Sequence, residues 1–311
     1  MCDETWIKRK RHLNTASLFN TLTRCCIQGR GVNHVIRMEN ESFSMQAVHY
    51  ARKKVPAGAF REINSYIQRG PHENRVFAVD GSKVHVHPSF LKDGYKTRTN
   101  DKPVPRPAKR PLVMLSSMVD VRTKTCVDFD LTKHFNERTA ATTLLRSVKK
   151  GDTLVFDRGY FSRELLRSVH NTGAFGLWRL KINAFGGVRT FFNSQRTEAR
   201  CLVSGVEARL VKYFIAGKTY VCLTNNLSVN RARVKALYAS RWRVEESFKR
   251  LKSNLKLEKA HALKSDLYIQ EVEARVLLDT ITLRLKQDNV SYIFTLDTRV
   301  LSTLRRVVTM S

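Results

Sequence analysis

The sequence predicts an α/β fold built on a sheet of mixed strand direction, entered through helices and carrying a β-rich insertion. Three observations support this: helical periodicity over residues 1–70, three successive strand-like runs without an intervening helix, and then alternating helix and strand.

In the first segment, LFNTLTRCCIQ and SMQAVHYARKKVP space apolar residues at helical intervals, the second with Ser44 as N-cap and Pro56 as stop. Its last turn carries Arg52, Lys53 and Lys54. Cations there suit a DNA-binding helix, and they equally suit compensation of the helix dipole. The runs RVFAVDGSKVHV, RPLVMLSSMVDV and TKTCVDFDLTK follow as strands, with the Pro- and Lys-rich residues 101–111 as a loop between the first two. ERTAATTLLRSVKK reads as a helix capped by Asn136 and ended by Gly151, and DTLVFD as a buried strand running into the helix of RGYFSRELLRSV. Residues 174–224 return to strands in AFGLWRLKI, GVRTFF, VEARLVKYFI and KTYVCLT, the β-rich insertion. Helices resume near Ser228.

Fifty-six Lys and Arg against 27 Asp and Glu leave a formal charge of +29, spread along a chain that is 42% hydrophobic. A folded protein so charged repels itself unless it faces a polyanion, so nucleic acid is the expected partner and a disordered tail is excluded. Cys2, Cys25, Cys26, Cys126, Cys201 and Cys222 show no metal-finger spacing and read as reduced thiols. No apolar run approaches the ~18 residues of a membrane span, so no membrane partner is expected. Lys8 to Arg11, KRKR, reads as basic surface or a nuclear signal.

Three acids stand at element ends. Asp80 lies in FAVDGSK, Asp157 closes the apolar run TLVF before Arg158, and Glu245 sits in YASRWRVEESFKRLK. A carboxylate at the end of an apolar strand needs a cation, for which Arg158 is a candidate. On a helix of ~100° per residue, Tyr238, Arg241, Glu245 and Lys252 form one stripe about 60° wide, beside a core face of Leu237, Val244, Phe248 and Leu251; Glu246 turns away. An exposed Arg241–Glu245 pair would produce the same pattern. Oxygen donors from two strands and a helix also suit hard divalent ions gripping a phosphodiester.

YASRWRVEESFKRLK resembles the Y-(2)-R-(3)-E-(6)-K signature of the DDE transposases of the insertion sequence four family, with Tyr238, Arg241, Glu245 and Lys252 at its four positions. FAVDGSK and VFDRGYFS are similar to the two aspartate motifs of that family, and HFNERTAATTLL, LTNNLS and QEVEARVLL resemble further segments, from about residue 8 to about 287. The resemblance implies a ribonuclease H-like catalytic domain over 71–287 with the insertion at about 174–224, an N-terminal helical DNA-binding domain over 1–70, and a C-terminal tail over 288–311. It implies that Asp80, Asp157 and Glu245 hold two Mg²⁺, for which Mn²⁺ can substitute, to cleave transposon ends and transfer strands into target DNA. Tyr238, Arg241 and Lys252 would hold phosphates, and Tyr220 would take the place where some members carry a base-stacking Trp. The implied partners are double-stranded DNA, as terminal inverted repeats and as target, and a second copy in a synaptic homodimer. The implied compartment is the cytoplasm or nucleoid of a bacterium, or a eukaryotic nucleus. The chain runs 59 residues beyond Lys252, less than several members use for synapsis. Two alternatives stand beside an active transposase: a degenerate or host-adopted transposase that only binds DNA, and a general nuclease of the same fold.

Other motifs carry less. His85 and His87 alternate to the face opposite Asp80 and read as packing or surface residues. Glu137 reads as a helix-start residue without a catalytic role, and Trp178 and Trp242 as packing residues.

Overall fold

The computed structural model describes residues 13–68, 73–97 and 110–287, and these gather into two compact units that the chain visits alternately. One unit takes the described residues of Met1–Arg69, Val84–Leu112 and Lys249–Ser311; the other takes those of Gly70–Lys83 and Val113–Phe248. The division by contacts therefore differs from the linear one, because the N-terminal helices share their unit with residues from the end of the chain. KRKR, most of the loop at 101–111 and the tail at 288–311 lie outside the described residues.

In the first unit, α1 (Thr15–Gln28), α2 (Val32–Met38), α3 (Met45–Lys54) and α4 (Ala59–Ile67) are joined by α10 (Ser265–Gln287). The Ser44 hydroxyl caps α3 as expected, accepting from the Ala47 N–H at 3.2 Å. Leu18, Leu22, Val48 and Phe60 pack with Ala274, Leu277 and Leu278 of α10. A helix enclosed on most sides must also satisfy the polar groups it buries. Arg275 of α10, 1% exposed, accordingly donates to the carbonyls of Leu255 and Glu271, and Asp279 pairs with Arg250 at 2.8 Å.

The second unit is built on one eight-stranded sheet in the order β3-β2-β1-β4-β5-β8-β7-β6. The strands are β1 (Val76–His85), β2 (Leu112–Asp120), β3 (Cys126–Thr132), β4 (Thr153–Phe156), β5 (Phe175–Arg179), β6 (Glu198–Val203), β7 (Val206–Ile215) and β8 (Lys218–Thr224). β1, β4 and β5 run parallel, while β3 pairs antiparallel with β2, and β8, β7 and β6 follow β5 antiparallel. The order β3-β2-β1-β4-β5 is the ribonuclease H-like arrangement. The strands expected as a β-rich insertion prolong this same sheet, and β5 belongs to its parallel centre.

Both faces are covered, so the central strands are apolar on both sides. Leu154, Phe156, Trp178, Val221 and Leu223 face α5 (Glu137–Leu144), α6 (Arg163–Asn171) and α7 (Val188–Asn193). Val155, Leu177, Val211 and Cys222 face α8 (Arg231–Ser240). GVRTFF, expected as a strand, is α7: Val188 and Phe191, three apart, are its buried pair, and Gly187 enters it at φ 88°. β6 was not anticipated, since its burial alternates only weakly at the sheet edge. The helix from Glu137 ends at Leu144, in a short 3₁₀ turn well before Gly151. Trp178 stacks on Phe156 with centroids 5.2 Å apart and planes 6° apart, folding its ring over Gly176. A methyl group on Gly176 would sit 1.9 Å from that ring, and the ring is fully buried. Gly176→Ala is expected to cost about 3 kcal/mol in urea denaturation, and an unchanged midpoint would mean that Trp178 repacks freely.

Candidate active site

Hydrogen-bond register positions the first two acids. Val79 of β1 pairs with Phe156 of β4 in a parallel ladder, so Asp80 and Asp157, the next residues on each strand, emerge side by side. Neighbouring strands lie about 4.8 Å apart. Asp80 falls mid-strand, and Asp157 falls one residue past the end of β4.

The third acid arrives from the helices that follow β8. The expected single helix is broken: α8 ends at Ser240, Arg241 occupies the junction, and α9 (Trp242–Lys249) carries Glu245. Two i→i+3 bonds, Arg241 N–H to Tyr238 C=O and Val244 N–H to Arg241 C=O, tighten the chain there. One guanidinium then joins two acids: Arg241 Nη1 lies 2.9 Å from Asp80 Oδ2, and Nη2 lies 2.7 Å from Glu245 Oε1. Tyr238 holds the remaining acid, donating its hydroxyl to Asp157 Oδ1 at 2.9 Å. Glu246, by contrast, pairs with Arg243 at 3.1 Å. Lys252 belongs to the other unit, half-buried in the π-helical turn Arg250–Asn254.

The two aspartates differ electrostatically. Burial raises the Asp80 carboxyl above its ordinary range; the Gly81 N–H and Arg241 oppose this, and the charges of Asp157 and Glu245 add to it. Burial also pushes Asp157 upward, but the Arg158 N–H, the Tyr238 hydroxyl, Arg241 and Arg179 together outweigh it and leave Asp157 lowered. The Tyr238 phenol is pushed up to about 12 by burial and by Asp157, so it stays a donor near neutral pH.

The stability consequences have opposite signs. Asp157, with its folded pKa below the unfolded value of about 3.9, stabilises the fold above that value, and the contribution is lost as pH falls through the folded pKa. Asp80, with its folded pKa raised, is a burden when ionised above that pKa, and the burden is relieved as pH falls toward the unfolded value. At pH 7 in EDTA, Asp157→Asn should therefore lower the melting temperature and Asp80→Asn should raise it. Shifts of the same sign in a thermal melt would contradict this account.

Three neighbours of these acids escaped the sequence reading. Arg179, at the end of β5, hydrogen-bonds Tyr238 and lies 4.7 Å over the Tyr220 ring, which itself stacks on Tyr213 with centroids 5.6 Å apart. Tyr220 is thus half-buried in a row of ring, ring and guanidinium. Glu137, at the start of α5, is raised by burial and then by Asp80 and Asp157. Tyr160 is 1% exposed, and its hydroxyl has no hydrogen-bond partner among the described residues. Burial and the charges of Asp80, Glu137 and Asp157 hold its phenol above the ordinary range. The parallel pairing of β1 with β4 is the signal that brings the residues after Asp80 and Asp157 together.

Several expected roles change. Arg158 is exposed and serves Asp157 through its backbone N–H, while the cation beside the acids is Arg241. Arg52 is 6% exposed, 3.1 Å from Glu271 and bonded to Gln270 and to the Leu267 carbonyl, so its guanidinium is used inside the protein and is not offered to DNA. Lys53 and Lys54 are exposed. Trp178 packs as expected, whereas Trp242 is 61% exposed. Among the described residues the cysteines are free thiols, and no helix is long and apolar enough to cross a membrane.

Among the described residues no three His, Cys, Asp or Glu side chains already converge as a metal cage. The donor set nevertheless suits a hard cation. All its carboxylate donor atoms are oxygens, and Asp80 is raised by burial, with the charges of Asp157 and Glu245 adding to it. The buried Tyr160 hydroxyl is also orphaned beside them, at an expected cost of about 1–3 kcal/mol.

A family described as Transposase DDE domain matches residues 71–277. A search of curated proteins found no match. Among solved structures the chain is similar to one titled "Cryo-EM structure of piggyBac transposase synaptic complex with hairpin DNA (SNHP)", at 12% identity and a TM-score of 0.44, over 98% of this chain and 73% of that one.

Proposed function

Because the chain belongs to the transposase DDE domain family, we propose that it cleaves DNA at transposon ends and joins the freed strand to target DNA, using Asp80, Asp157 and Glu245 with divalent metal. The observation that carries this reading is the gathering of two acids from adjacent parallel strands with one helix acid, Asp80 and Glu245 on the Arg241 guanidinium and Asp157 on the Tyr238 hydroxyl. Two Mg²⁺ or Mn²⁺ held by these carboxylates would polarise the attacking water or 3′-hydroxyl and stabilise the leaving oxygen.

The chain's own residues do the remaining work. Arg241 neutralises the acids in the absence of the ions and, released from them, is placed to pair with a phosphate through both nitrogens. Tyr238 stays protonated, keeps Asp157 ionised by donating to it, and fixes its rotamer. Arg179 lends further positive charge to Asp157. The partners in this reading are the terminal inverted repeats, the target DNA and a second copy of the chain, with Lys53, Lys54 and Lys252 contributing to the grip on phosphate. The formal charge of +29 supports a polyanionic substrate.

The test uses linear DNA carrying the element's inverted repeats, incubated with the purified protein with and without Mg²⁺. Nicking confined to the repeat ends and dependent on Mg²⁺ is the expected result. Cutting that ignores the ends would identify a general nuclease, and binding without cutting would identify a DNA-binding derivative.

A further inference from the structure

We propose that Glu137 is a fourth carboxylate of the acidic centre, holding one divalent cation through its water shell, with the Tyr160 hydroxyl as hydrogen-bond partner of that water. This rests on Asp80, Asp157 and Glu245 being the metal ligands. At the start of α5, a Glu is already accounted for by the helix dipole, and nothing in the sequence requires more of it. Tertiary placement changes its meaning. A methyl group on Gly81 would lie 3.6 Å from Glu137 Cγ, and one on Gly159 would lie 3.3 Å from Glu137 Oε2. Gly81 directly follows Asp80, and Gly159 follows Asp157 by two residues. The Glu137 side chain therefore lies against both glycines that neighbour the aspartates, in ordinary contact at Gly81 and more tightly at Gly159.

Among the described residues this carboxylate accepts no hydrogen bond and forms no ion pair. Lys83 and Arg138 act on it only through their fields, less strongly than Asp80 and Asp157 do. The Arg138 Nε is engaged instead with the Gly159 carbonyl at 3.1 Å. An acid without a cation, set against two other acids, is an arrangement that a divalent ion completes.

Tyr160 points to a ligand independently. Its hydroxyl lies 3.2 Å from the position a methyl group on Gly81 would take, it is buried, and it finds no partner among the described residues. A water bound to a cation between Asp80 and Glu137 would supply that partner. An open cavity of about 870 Å³, lined by Asn136, Glu137, Arg138, Thr139, Gly159 and Ser162, gives access to the Glu137 side of the centre. Outer-shell partners of this kind typically change metal affinity by about 10–100-fold.

The experiment titrates the full-length protein with Mn²⁺ alone, without DNA, and follows bound Mn²⁺ by electron paramagnetic resonance and the Mn²⁺-induced rise in melting temperature. Glu137→Gln keeps the shape over the two glycines and should weaken one Mn²⁺ about tenfold without lowering the metal-free melting temperature. Tyr160→Phe removes only the orphaned hydroxyl and should raise the metal-free melting temperature while shrinking the Mn²⁺-induced rise. Asp80→Asn is the control that should lose Mn²⁺. If Asp80→Asn loses Mn²⁺ while Glu137→Gln and Tyr160→Phe bind it like the parent, the proposal is overturned and the three-acid site stands. If all three variants bind Mn²⁺ like the parent, the three-acid metal site itself is wrong, and the proposal falls with it.

Discussion

Asp157→Asn is expected to abolish cleavage of transposon-end DNA, by at least about a thousandfold, while leaving DNA binding intact. A thousandfold is about 4 kcal/mol of transition-state stabilisation at 1.36 kcal/mol per decade. Asn retains the size of Asp and an oxygen to accept from Tyr238, so the ladder between β1 and β4 and the contact at 2.9 Å need not move. What disappears is the charge, which a hard divalent ion needs most. Glu245→Gln should act in the same way, since the amide still accepts from Arg241 but no longer balances it. The measurement is single-turnover nicking in Mg²⁺ alongside a gel-shift assay on the same DNA. Cleavage within tenfold of the parent in both variants would remove these acids from the mechanism.

The second large effect concerns stability. Arg52→Met should cost about 3 kcal/mol, the lower end of what breaking a buried pair typically costs, because Arg275 still faces Glu271 at 3.6 Å. Met fills the volume but leaves the Gln270 side chain, the Leu267 carbonyl and one Glu271 oxygen without their donor. Simultaneous replacement of the neighbouring exposed Lys53 and Lys54 by Ala should change stability by less than about 0.5 kcal/mol. That double variant should instead weaken DNA binding and flatten its dependence on salt. Urea denaturation and salt titration separate the two effects. An Arg52→Met protein as stable as the parent, but weaker on DNA, would return Arg52 to the DNA-binding surface.

The parts of this molecule that local rules determine were readable in the sequence. Ser44 caps a helix because its hydroxyl serves an N–H three residues away, and TLVF forms a strand because both faces of the sheet are covered. The Arg241–Glu245 contact was readable from their four-residue spacing, which still brings them together across the junction before α9. Its extension to Asp80 depends on where α9 meets the sheet, and no periodicity encodes that. GVRTFF misled because two Phe and a Val satisfy a strand's preferences as well as a short helix's, and packing of Val188 and Phe191 decided between them. Arg52 misled for the opposite reason, since a cation in a last helical turn resembles surface until a distant segment, Leu267 to Glu271, closes over it. Glu137 and Tyr160 acquire meaning only through the parallel pairing of β1 with β4, which joins residues 77 positions apart.

That pairing also governs how such a site can diverge. The separation of Asp80 and Asp157 is set by a ladder of backbone hydrogen bonds from Val76↔Thr153 to Val79↔Phe156, not by the length of chain between them. Segments outside the paired strands can lengthen or shorten without moving either carboxylate. A single deletion inside Val76–Val79 or Thr153–Phe156 would instead turn one acid to the opposite face of the sheet. Comparisons among distant relatives should therefore disregard linear intervals between the acids and anchor on the short apolar runs immediately before them.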